Sequence, residues 1–367
     1  MLFTFQNKDY KISRYPRTNL TSLKAWNATD EMILSYLEDQ ELLSTNIAIY
    51  HDRIGFLSTI LAEHKITSVI LYKSQEKAIW QNLSQNDISK ESINYIYPLD
   101  TFENKLDTAI IKIPKSVDLF ELYLQQLSQS LSENSIVIGG FMTKYFNKRT
   151  IEIAERYFDD VTQSKAHKKA RLLILKNPKP YKEQSLIKEV IYKDDISFKQ
   201  YFGVFSAKNI DYATQFFMDH LSISEKDEKI LDLGSGNGVL AWKARELNKI
   251  AKINLIDDSY LAIESSKLNM PDGDNFYHFD DNLRHIANNS YDLVISNPPF
   301  HFEHENNIEV SIYLFSQVAK ILKPKGIFKL VGNKHVNYKT HLKKIFKYTD
   351  VIVQNDKFVV YNCVKGD

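Results

Sequence analysis

Short runs of β-branched and aliphatic residues alternate with longer amphipathic stretches along the whole chain. This alternation is typical of a mostly parallel sheet covered by helices, because the crossover helices bury both faces of such a sheet. We predict five strands in each half, at 46–50, 68–72, 108–113, 135–138 and 171–175, and at 229–233, 252–256, 293–296, 327–331 and 357–361. Helices fit the intervals, for example at 119–131, 151–158 and 308–322. The pattern therefore indicates an α/β fold.

A proline-containing segment separates the two halves. Pro178, Pro180 and several charged residues fall within 176–182, where both helical and strand periodicity break off. We place the domain boundary near residue 185, which gives domains 1–185 and 186–367. A chain of 367 residues has the length expected for two domains that each bury a core.

The two halves resemble distant copies of each other. Residues 47–55 resemble 230–238, and residues 107–115 resemble 292–300, so the matches lie 183 and 185 positions apart. A near-constant offset over two separated segments favours an internal duplication, although unrelated α/β domains of similar size would also align this loosely. The glycine-rich turn of the second half has no full counterpart in the first. We therefore expect the active site in the second half.

Composition narrows the class of protein. Apolar residues make up 43% and charged residues 25%, which excludes a disordered or fibrous chain. The 47 basic and 46 acidic residues nearly cancel, so any nucleic-acid contact must come from local patches. The single cysteine, Cys363, excludes a disulfide framework, and five histidines between 278 and 335 match no metal-ligand spacing. We expect no metal, and the lack of an apolar span or signal peptide predicts a cytosolic protein.

A glycine-rich turn follows the first predicted strand of the second half. Gly234, Gly236 and Gly238 suit a backbone that turns with positive φ or lies against a ligand. Ligands of open α/β sheets bind at the carboxyl ends of strands, where this turn falls. The spacing differs from the dinucleotide fingerprint, and Asp232 would disfavour a pyrophosphate. S-adenosylmethionine, which is cationic and lacks phosphate, fits better, while a tight turn without a ligand is the alternative.

Carboxylates follow the next two strands. Asp257 lies 19 residues after Gly238, at a strand end where a carboxylate can accept hydrogen bonds from ribose hydroxyls. Acidic residues also follow strands as helix caps, and Asp258 with Ser259 could serve only that purpose. After the third strand, Asp280 or Asp281 could accept from the adenine amino group, and we favour Asp281.

The third motif is Asn297-Pro298-Pro299-Phe300, at the end of an apolar strand. The prolines fix φ and carry no N–H, which leaves the Asn297 side-chain oxygen and the Pro298 carbonyl as acceptors. Two acceptors can hold both hydrogens of an exocyclic amino group and favour the positive charge that develops on its nitrogen. Phe300 can stack on the base. The alternative is a proline-terminated strand in which asparagine only forms a turn.

These residues are similar to those of class I S-adenosylmethionine-dependent methyltransferases that modify amino nitrogens. The finer resemblance is to ribosomal RNA guanine-N2 methyltransferases with a duplicated, two-domain chain, and the second half resembles the large-subunit (23S) enzyme most. The resemblance covers nearly all of residues 200–365. The segments that show it are 203–206, 210–211, 216–221, 257–259, 265–269, 297–301, 333–335 and 357–360. In the first half it is carried by 111–115 and 168–172.

The resemblance implies two tandem Rossmann-like domains, an N-terminal one that has lost cofactor binding and helps to hold RNA, and a catalytic C-terminal one. It implies that Phe205 and Ser206 form part of a lid over the cofactor. It further implies roles in binding S-adenosylmethionine or guanine for Gly234, Gly236, Gly238, Asp257, Asn297, Pro298 and Phe300. Two departures from the family pattern, Ala207 and Ser235, weaken the choice between the large-subunit enzyme and its neighbour.

The RNA contacts are expected in a basic cluster beside the linker. Lys165, Lys168, Lys169 and Arg171 would make salt-sensitive phosphate contacts if they face the RNA, and a solvated surface is the alternative. We expect a monomer that acts on ribosomal RNA, 23S rather than 16S.

Other functions stay open at this point. The chain could be the 16S guanine-N2 enzyme, or a protein-glutamine or DNA-adenine methyltransferase. The last two usually carry tyrosine at the position of Phe300, which argues against them. A catalytically inactive RNA-binding assembly factor is the alternative outside enzymes, and the intact glycine turn together with Asn297 argues against it.

Overall fold

The structure is a computed structural model that describes residues 1–16, 24–193, 196–205, 209–298, 301–302, 305–306 and 308–367. The chain divides into two compact units, Met1–Leu186 and Ile187–Asp367. None of the described helices is long and apolar enough to cross a membrane.

The first unit contains nine strands and five α-helices among its described residues. The strands are β1 (Leu2–Phe5), β2 (Lys8–Lys11), β3 (Ile47–Tyr50), β4 (Ile66–Val69), β5 (Asn94–Ile96), β6 (Leu106–Lys112), β7 (Leu131–Met142), β8 (Phe158–Gln163) and β9 (Ala170–Pro178). The helices are α1 (Ala28–Asp39), α2 (Phe56–Ile60), α3 (Lys73–Gln85), α4 (Val117–Ser128) and α5 (Arg149–Tyr157).

The second unit contains eleven strands and five α-helices within its described part. The strands are β10 (Ile187–Tyr192), β11 (Ile196–Tyr201), β12 (Lys229–Leu233), β13 (Lys252–Asp257), β14 (Asn275–Phe279), β15 (Tyr291–Ser296), β16 (His301–Phe302), β17 (Glu305–Asn306), β18 (Leu322–Asn333), β19 (Tyr348–Gln354) and β20 (Phe358–Val364). The helices are α6 (Tyr212–His220), α7 (Val239–Leu247), α8 (Tyr260–Asn269), α9 (Ile308–Ile321) and α10 (Tyr338–Ile345).

Each unit is built on a seven-stranded sheet with the same topology. The strand orders are β5-β4-β3-β6-β7-β9-β8 and β14-β13-β12-β15-β18-β20-β19. In each sheet the first five strands pair in parallel, and the last two add antiparallel pairs at one edge. The predicted α/β fold of two tandem Rossmann-like domains is therefore confirmed.

The second sheet is buried on both faces, which explains why its strands read as continuous apolar runs. Successive strand residues point to opposite faces. Ile230 packs in the layer that contains Phe217 of α6 and Leu240 of α7. Leu231 packs in the opposite layer, which contains Phe315 of α9. The core therefore fixes the strands whose carboxyl ends carry the motifs.

Sequence periodicity missed the edge hairpins. Strand β9 continues into the segment 176–182, where we predicted the linker, and ends at Pro178. Pro178 pairs with Phe158 at the end of the ladder, where proline is tolerated. The hairpin β10–β11 was not predicted, because both strands are short and neither alternates regularly between apolar and polar residues. It is held by α8, since Ser265 Oγ accepts from the Tyr201 N–H at 2.9 Å.

Candidate functional site

The glycine turn and the Asn297 motif emerge side by side at one edge of the second sheet. Strands β12 and β15 are parallel neighbours, and Leu233 is paired with Ser296. The Ser296 hydroxyl also donates to the Leu233 carbonyl at 2.6 Å. Adjacent strands lie about 4.8 Å apart, so Gly234 and Asn297 begin their loops within one strand spacing of each other. The two predicted motifs therefore share one site.

The glycine turn has the backbone that its sequence predicts. Gly234, Gly236 and Gly238 have φ of 73°, 55° and 82°, in the region that favours glycine. A Cβ built on Gly236 would meet nothing within 4 Å, whereas one on Gly238 would lie 2.9 Å from the Ser266 Cβ. Gly238 thus allows α7 to pack closely on α8, and Gly236 leaves open space beside bare main chain.

Asp257 closes the turn from the neighbouring strand. One carboxylate oxygen accepts from the Gly236 N–H at 2.9 Å, and the other accepts from the Ser259 N–H at 2.8 Å. Ser259 itself is the N-cap of α8. Burial is the main cause that raises the pKa of Asp257 to about 6. Each oxygen has a second lone pair, so the carboxylate is still able to accept from ribose hydroxyls.

Asp232 is a buried carboxyl group with one unused oxygen. The side chain is fully buried, and its Oδ2 accepts from the Ala241 N–H at 3.0 Å. Its Oδ1 has no hydrogen-bond partner among the described residues, and neither has the buried Ser235 hydroxyl. Burial raises the pKa of Asp232 to about 8. A buried acceptor without a partner is costly unless a ligand satisfies it, so this end of the turn is suited to a cationic ligand.

The Asn297 amide is held in one orientation. Its Nδ2 donates to Thr214 Oγ1 at 2.8 Å and to Asp211 Oδ2 at 3.2 Å. Its Oδ1 is buried and has no partner among the described residues. Asp211 is in turn the N-cap of α6 and accepts from the Ala213 and Thr214 N–H groups. Because both donors of the amide are directed at α6, the acceptor oxygen is left for a ligand.

Sequence reasoning assigned no role to Asp211 or Thr214. The available signal was an acidic N-cap before an amphipathic helix. That signal predicts where α6 begins, and it does not show which loop the helix will meet 86 residues later.

The predicted adenine-binding carboxylates lie beyond the next strand. Asp280 follows β14, and its N–H donates to the Asp257 carbonyl at 3.1 Å. Its Oδ2 lies 3.1 Å from His285 Nδ1. Asp281 is one residue further along, where its Oδ1 accepts from Asn282 Nδ2 at 2.7 Å. The structure therefore places both near Asp257.

The segment that ends at Phe205 is tied to the glycine turn. Gln200 donates to the Val204 carbonyl at 3.2 Å and accepts from Asn237 Nδ2 at 2.9 Å, inside the turn. Phe205 is 75% exposed, and its place in a lid over the cofactor stays a prediction. Pro298 is buried directly after Asn297. Ser206 and Phe300 lie outside the described residues.

The predicted RNA-binding cluster lies in the first unit, on the turn between β8 and β9. Lys165, Lys168 and Lys169 are exposed, and Arg171 is partly buried. Lys168 Nζ lies 3.5 Å from Glu31, so part of its charge is balanced. Among the described residues, no group of three or more His, Cys, Asp or Glu is arranged to hold a metal ion.

The equivalent edge of the first unit is filled by its own side chains. Lys112 follows the residue paired with Tyr50, as Asn297 follows the residue paired with Leu233. Its ammonium lies 2.8 Å from Asp30 and 4.0 Å from Asp52, both fully buried.

The cofactor-binding positions of the first unit are also replaced. By strand register, Ile70 stands where Asp257 stands in the second unit. The buried Arg53 lies in the loop that corresponds to the glycine turn, with its guanidinium 3.5 Å from the centre of the Tyr72 ring. The N-terminal domain therefore lacks the open turn and the carboxylate that the second unit keeps.

Comparison with known proteins identifies the family. Residues 1–180 match the family described as RLMG N-terminal domain, and residues 195–362 match the Methyltransferase small domain. The "Ribosomal RNA large subunit methyltransferase G" of Photobacterium profundum is 32% identical over 373 residues, which cover 99% of each chain. The protein of the same name from Shewanella loihica is 29% identical and covers 99% of this chain and 94% of its own. The chain belongs to the ribosomal RNA large subunit methyltransferase G family.

A solved structure shares the fold of this family member. It is entitled "T. Thermophilus 16S rRNA N2 G1207 methyltransferase (RsmC) in complex with AdoMet and Guanosine", and it aligns with a TM-score of 0.77 at 16% identity. The alignment covers 100% of this chain and 97% of that one. By its family the chain is a methyltransferase, and the solved structure holds AdoMet. The open Gly236 backbone and the free oxygen of Asp232 fit that cofactor.

Proposed function

We propose that this member of the ribosomal RNA large subunit methyltransferase G family methylates the exocyclic N2 of a guanine in 23S rRNA. The observation that carries the proposal is the Asn297 Oδ1, a buried acceptor beside the glycine turn that has no described protein partner. A buried acceptor at the carboxyl edge of the catalytic sheet suits an amino-group substrate, because an amine supplies the missing donor.

The chain provides two sets of groups for this reaction. S-adenosylmethionine, when bound, supplies an electrophilic methyl group on its sulfonium. Asp232 would hold the cationic methionine end and Asp257 the ribose. The remaining positions that we assign to the cofactor are Phe205, Ser206, Gly234, Gly236, Gly238, Asp281 and Asn297.

Asn297 and Pro298 would act on the substrate. The Asn297 Oδ1 and the Pro298 carbonyl would accept the two hydrogens of guanine N2, which directs the nitrogen lone pair at the methyl group and stabilises the developing positive charge. The alkylated nitrogen then loses a proton to water. Positioning of two reactants contributes roughly 7–11 kcal/mol in favourable cases, while extruding a paired base costs a few kcal/mol. Phe300 would stack on the base.

We further propose that the first unit binds RNA through Lys165, Lys168, Lys169 and Arg171. In support, Lys168 lines a cavity of about 460 Å³ together with Arg14, Lys24 and Trp26, and Glu31 is the one acidic residue of its lining. Cations around an aromatic ring suit a single-stranded nucleotide, whose phosphate and base they can contact together.

The choice of 23S over 16S rRNA rests on full-length similarity. Relatives named large subunit methyltransferase G match 99% of this chain at 29–32% identity. The structure titled as a 16S guanine-N2 enzyme is only 16% identical, so its title supports a guanine amino substrate and carries less weight for the subunit.

The proposal is tested on rRNA from a strain that lacks this gene. Mass mapping should show one unmethylated guanosine in 23S rRNA, and purified enzyme with S-adenosylmethionine should restore N2-methylguanosine there. Loss of a modification in 16S rRNA would contradict the choice of subunit. Unchanged methylation in both RNAs would contradict the proposed function.

Variants of the Asn297 contacts test the site. Asn297→Ala should abolish turnover, because the acceptor for the substrate amine is lost, and leave cofactor affinity within a few fold, because Asp232, Asp257 and the glycine turn remain. Thr214→Val removes one acceptor that orients the amide and should lower kcat about tenfold. Thr214→Ser keeps the hydroxyl and should restore kcat. A Thr214→Val enzyme with wild-type kcat would show that the orientation has no role in the reaction.

A further inference from the structure

An open cavity of about 480 Å³ lies at the carboxyl end of β18. It is lined by Asn333, Lys334, His335, Asp356, Lys357 and Phe358. Asn333 ends β18 and is paired with Phe358, the first residue of β20. The Lys334 N–H donates to the Lys357 carbonyl at 2.8 Å, which holds the two lysines next to each other.

The cavity lies on the side of Asn297 that faces away from the cofactor turn. In the sheet, β15 stands between β12, which carries the glycine turn, and β18, which carries the cavity. Leu330 of β18 is paired with Ser296, and Asn333 is three residues further on. Asn297 is level with Val331, two residues before Asn333, so with 3.3 Å per residue and 4.8 Å between strands the cavity begins about 8 Å from Asn297.

Helix α6 connects the two places. Thr214 holds the Asn297 amide, and Phe216, two residues later, packs against Phe358 with ring centres 6.2 Å apart. The aromatic residue of the cavity therefore packs against the same helix that orients the Asn297 amide.

The lining is cationic with an aromatic floor. Lys334, His335 and Lys357 are exposed, and Asp356 is the only acidic residue of the lining. In the described structure no carboxylate lies within 4.0 Å of either lysine ammonium. Phe358 is partly buried and offers an apolar ring. Adjacent unpaired ammonium groups beside a ring suit a phosphodiester with its ribose or base.

We propose that this cavity binds the RNA backbone at a nucleotide next to the target guanosine, with Lys334 and Lys357 on a phosphate. The proposal rests on the proposed function, because it requires an RNA substrate whose target base is at Asn297. A strand that delivers one base to Asn297 must continue past it, and β12 and the cofactor turn occupy the other side. The β18 side offers the cations for that continuation.

The first experiment measures steady-state methylation of an RNA fragment that carries the guanosine modified by the wild-type enzyme. Lys357→Gln should raise KM for RNA about tenfold and leave kcat within about twofold, since the contact is made in both ground and transition states. The slope of log affinity against log salt should become shallower by about 0.7. Lys252→Gln is the matched control, because Lys252 is an exposed lysine at the opposite, amino-terminal edge of the sheet.

The second experiment replaces single phosphates that flank the target with neutral methylphosphonates. At one position the wild-type enzyme should lose affinity, and Lys357→Gln should lose less, because only the Lys334 contact to that phosphate is left to remove. Equal effects of Lys357→Gln and Lys252→Gln, or additive losses at every position, would overturn the cavity assignment and leave the proposed function intact. A wild-type enzyme that methylates no rRNA would overturn both.

Discussion

Asp232 shows how one buried residue reports on the ligand of the site. A carboxyl group without solvent contact favours its neutral form, which is why burial raises its pKa to about 8. Its Oδ2 has a backbone donor, while Oδ1 has no partner in the described structure. A cation placed at Oδ1 would favour the ionised form. Cofactor binding is then coupled to release of a proton.

This coupling predicts a pH-dependent affinity. Near pH 7 most of the free protein carries a protonated Asp232, so affinity for S-adenosylmethionine should rise as the pH increases from 6.5 towards 8 and then level off. Asp232→Asn cannot ionise and should bind about tenfold more weakly at pH 8, with a flatter profile. Calorimetry across this range measures both. The α-amino group of the cofactor titrates equally with wild type and with Asp232→Asn, so the difference between the two pH profiles is due to Asp232. Parallel profiles would contradict the role of Asp232 in binding the cofactor.

At the scale of elements, two glycines of the same turn are needed for different reasons. Gly238→Ala would place a Cβ 2.9 Å from Ser266 and should destabilise the packing of α7 on α8. Gly236→Ala meets no atom within 4 Å and has only the cost of an alanine at φ of 55°, about 1–2 kcal/mol.

The turn therefore predicts that Gly236→Ala mainly weakens cofactor binding, whereas Gly238→Ala mainly lowers stability. Gly236→Ala should remain folded, with a small fall in Tm, and lose cofactor affinity more than about tenfold, because its methyl group enters the space beside the bare backbone. Gly238→Ala should show the larger fall in Tm. Thermal unfolding with and without S-adenosylmethionine measures both variants. Normal cofactor stabilisation of Gly236→Ala would place the cofactor elsewhere.

These elements also show what the sequence could predict. The strand at 229–233 and the helix at 308–322 follow from apolar periodicity and agree with the structure. The Asn297 loop and the glycine turn could be placed together, because both follow parallel strands. The contact between α6 and Asn297 could not be predicted, since it depends on how a helix packs against a distant loop. The cavity beside Phe358 likewise forms only when β18 and β20 pair.

At the scale of the whole molecule, the two units share one sheet topology but carry different residues at the equivalent edge. Both sheets have the same strand order, yet Lys112 in the first unit stands where the second unit has Asn297. Its ammonium lies 2.8 Å from Asp30 and 4.0 Å from Asp52, two carboxylates that are fully buried. An edge that would otherwise open as a ligand site is closed by an internal ion pair. In the first unit, an ion pair thus lies at the position where the second unit has Asn297.

This exchange predicts that Lys112→Met destabilises the first unit. Removal of one partner leaves buried charges uncompensated, which typically costs about 3–5 kcal/mol. Lys112 lowers the pKa of Asp52, which burial raises, so its loss raises that pKa further. Between the ordinary pKa of an aspartate and the raised pKa of Asp52, the folded variant binds more protons than the unfolded chain. Its loss of stability relative to wild type should therefore shrink as the pH falls through the raised pKa.

Tryptophan fluorescence during urea unfolding can assign that loss to the correct unit. Trp26 and Trp80 lie in the first unit and Trp242 in the second, so a Trp242→Phe background reports the first unit alone. Lys176→Met, an exposed lysine on β9, is the matched control and should unfold as wild type does. Cofactor affinity should be unchanged in both variants, because the glycine turn belongs to the other unit. If Lys112→Met and Lys176→Met unfold at the same urea concentration at pH 8, the ion pair does not stabilise the closed edge, and another contact must hold it shut.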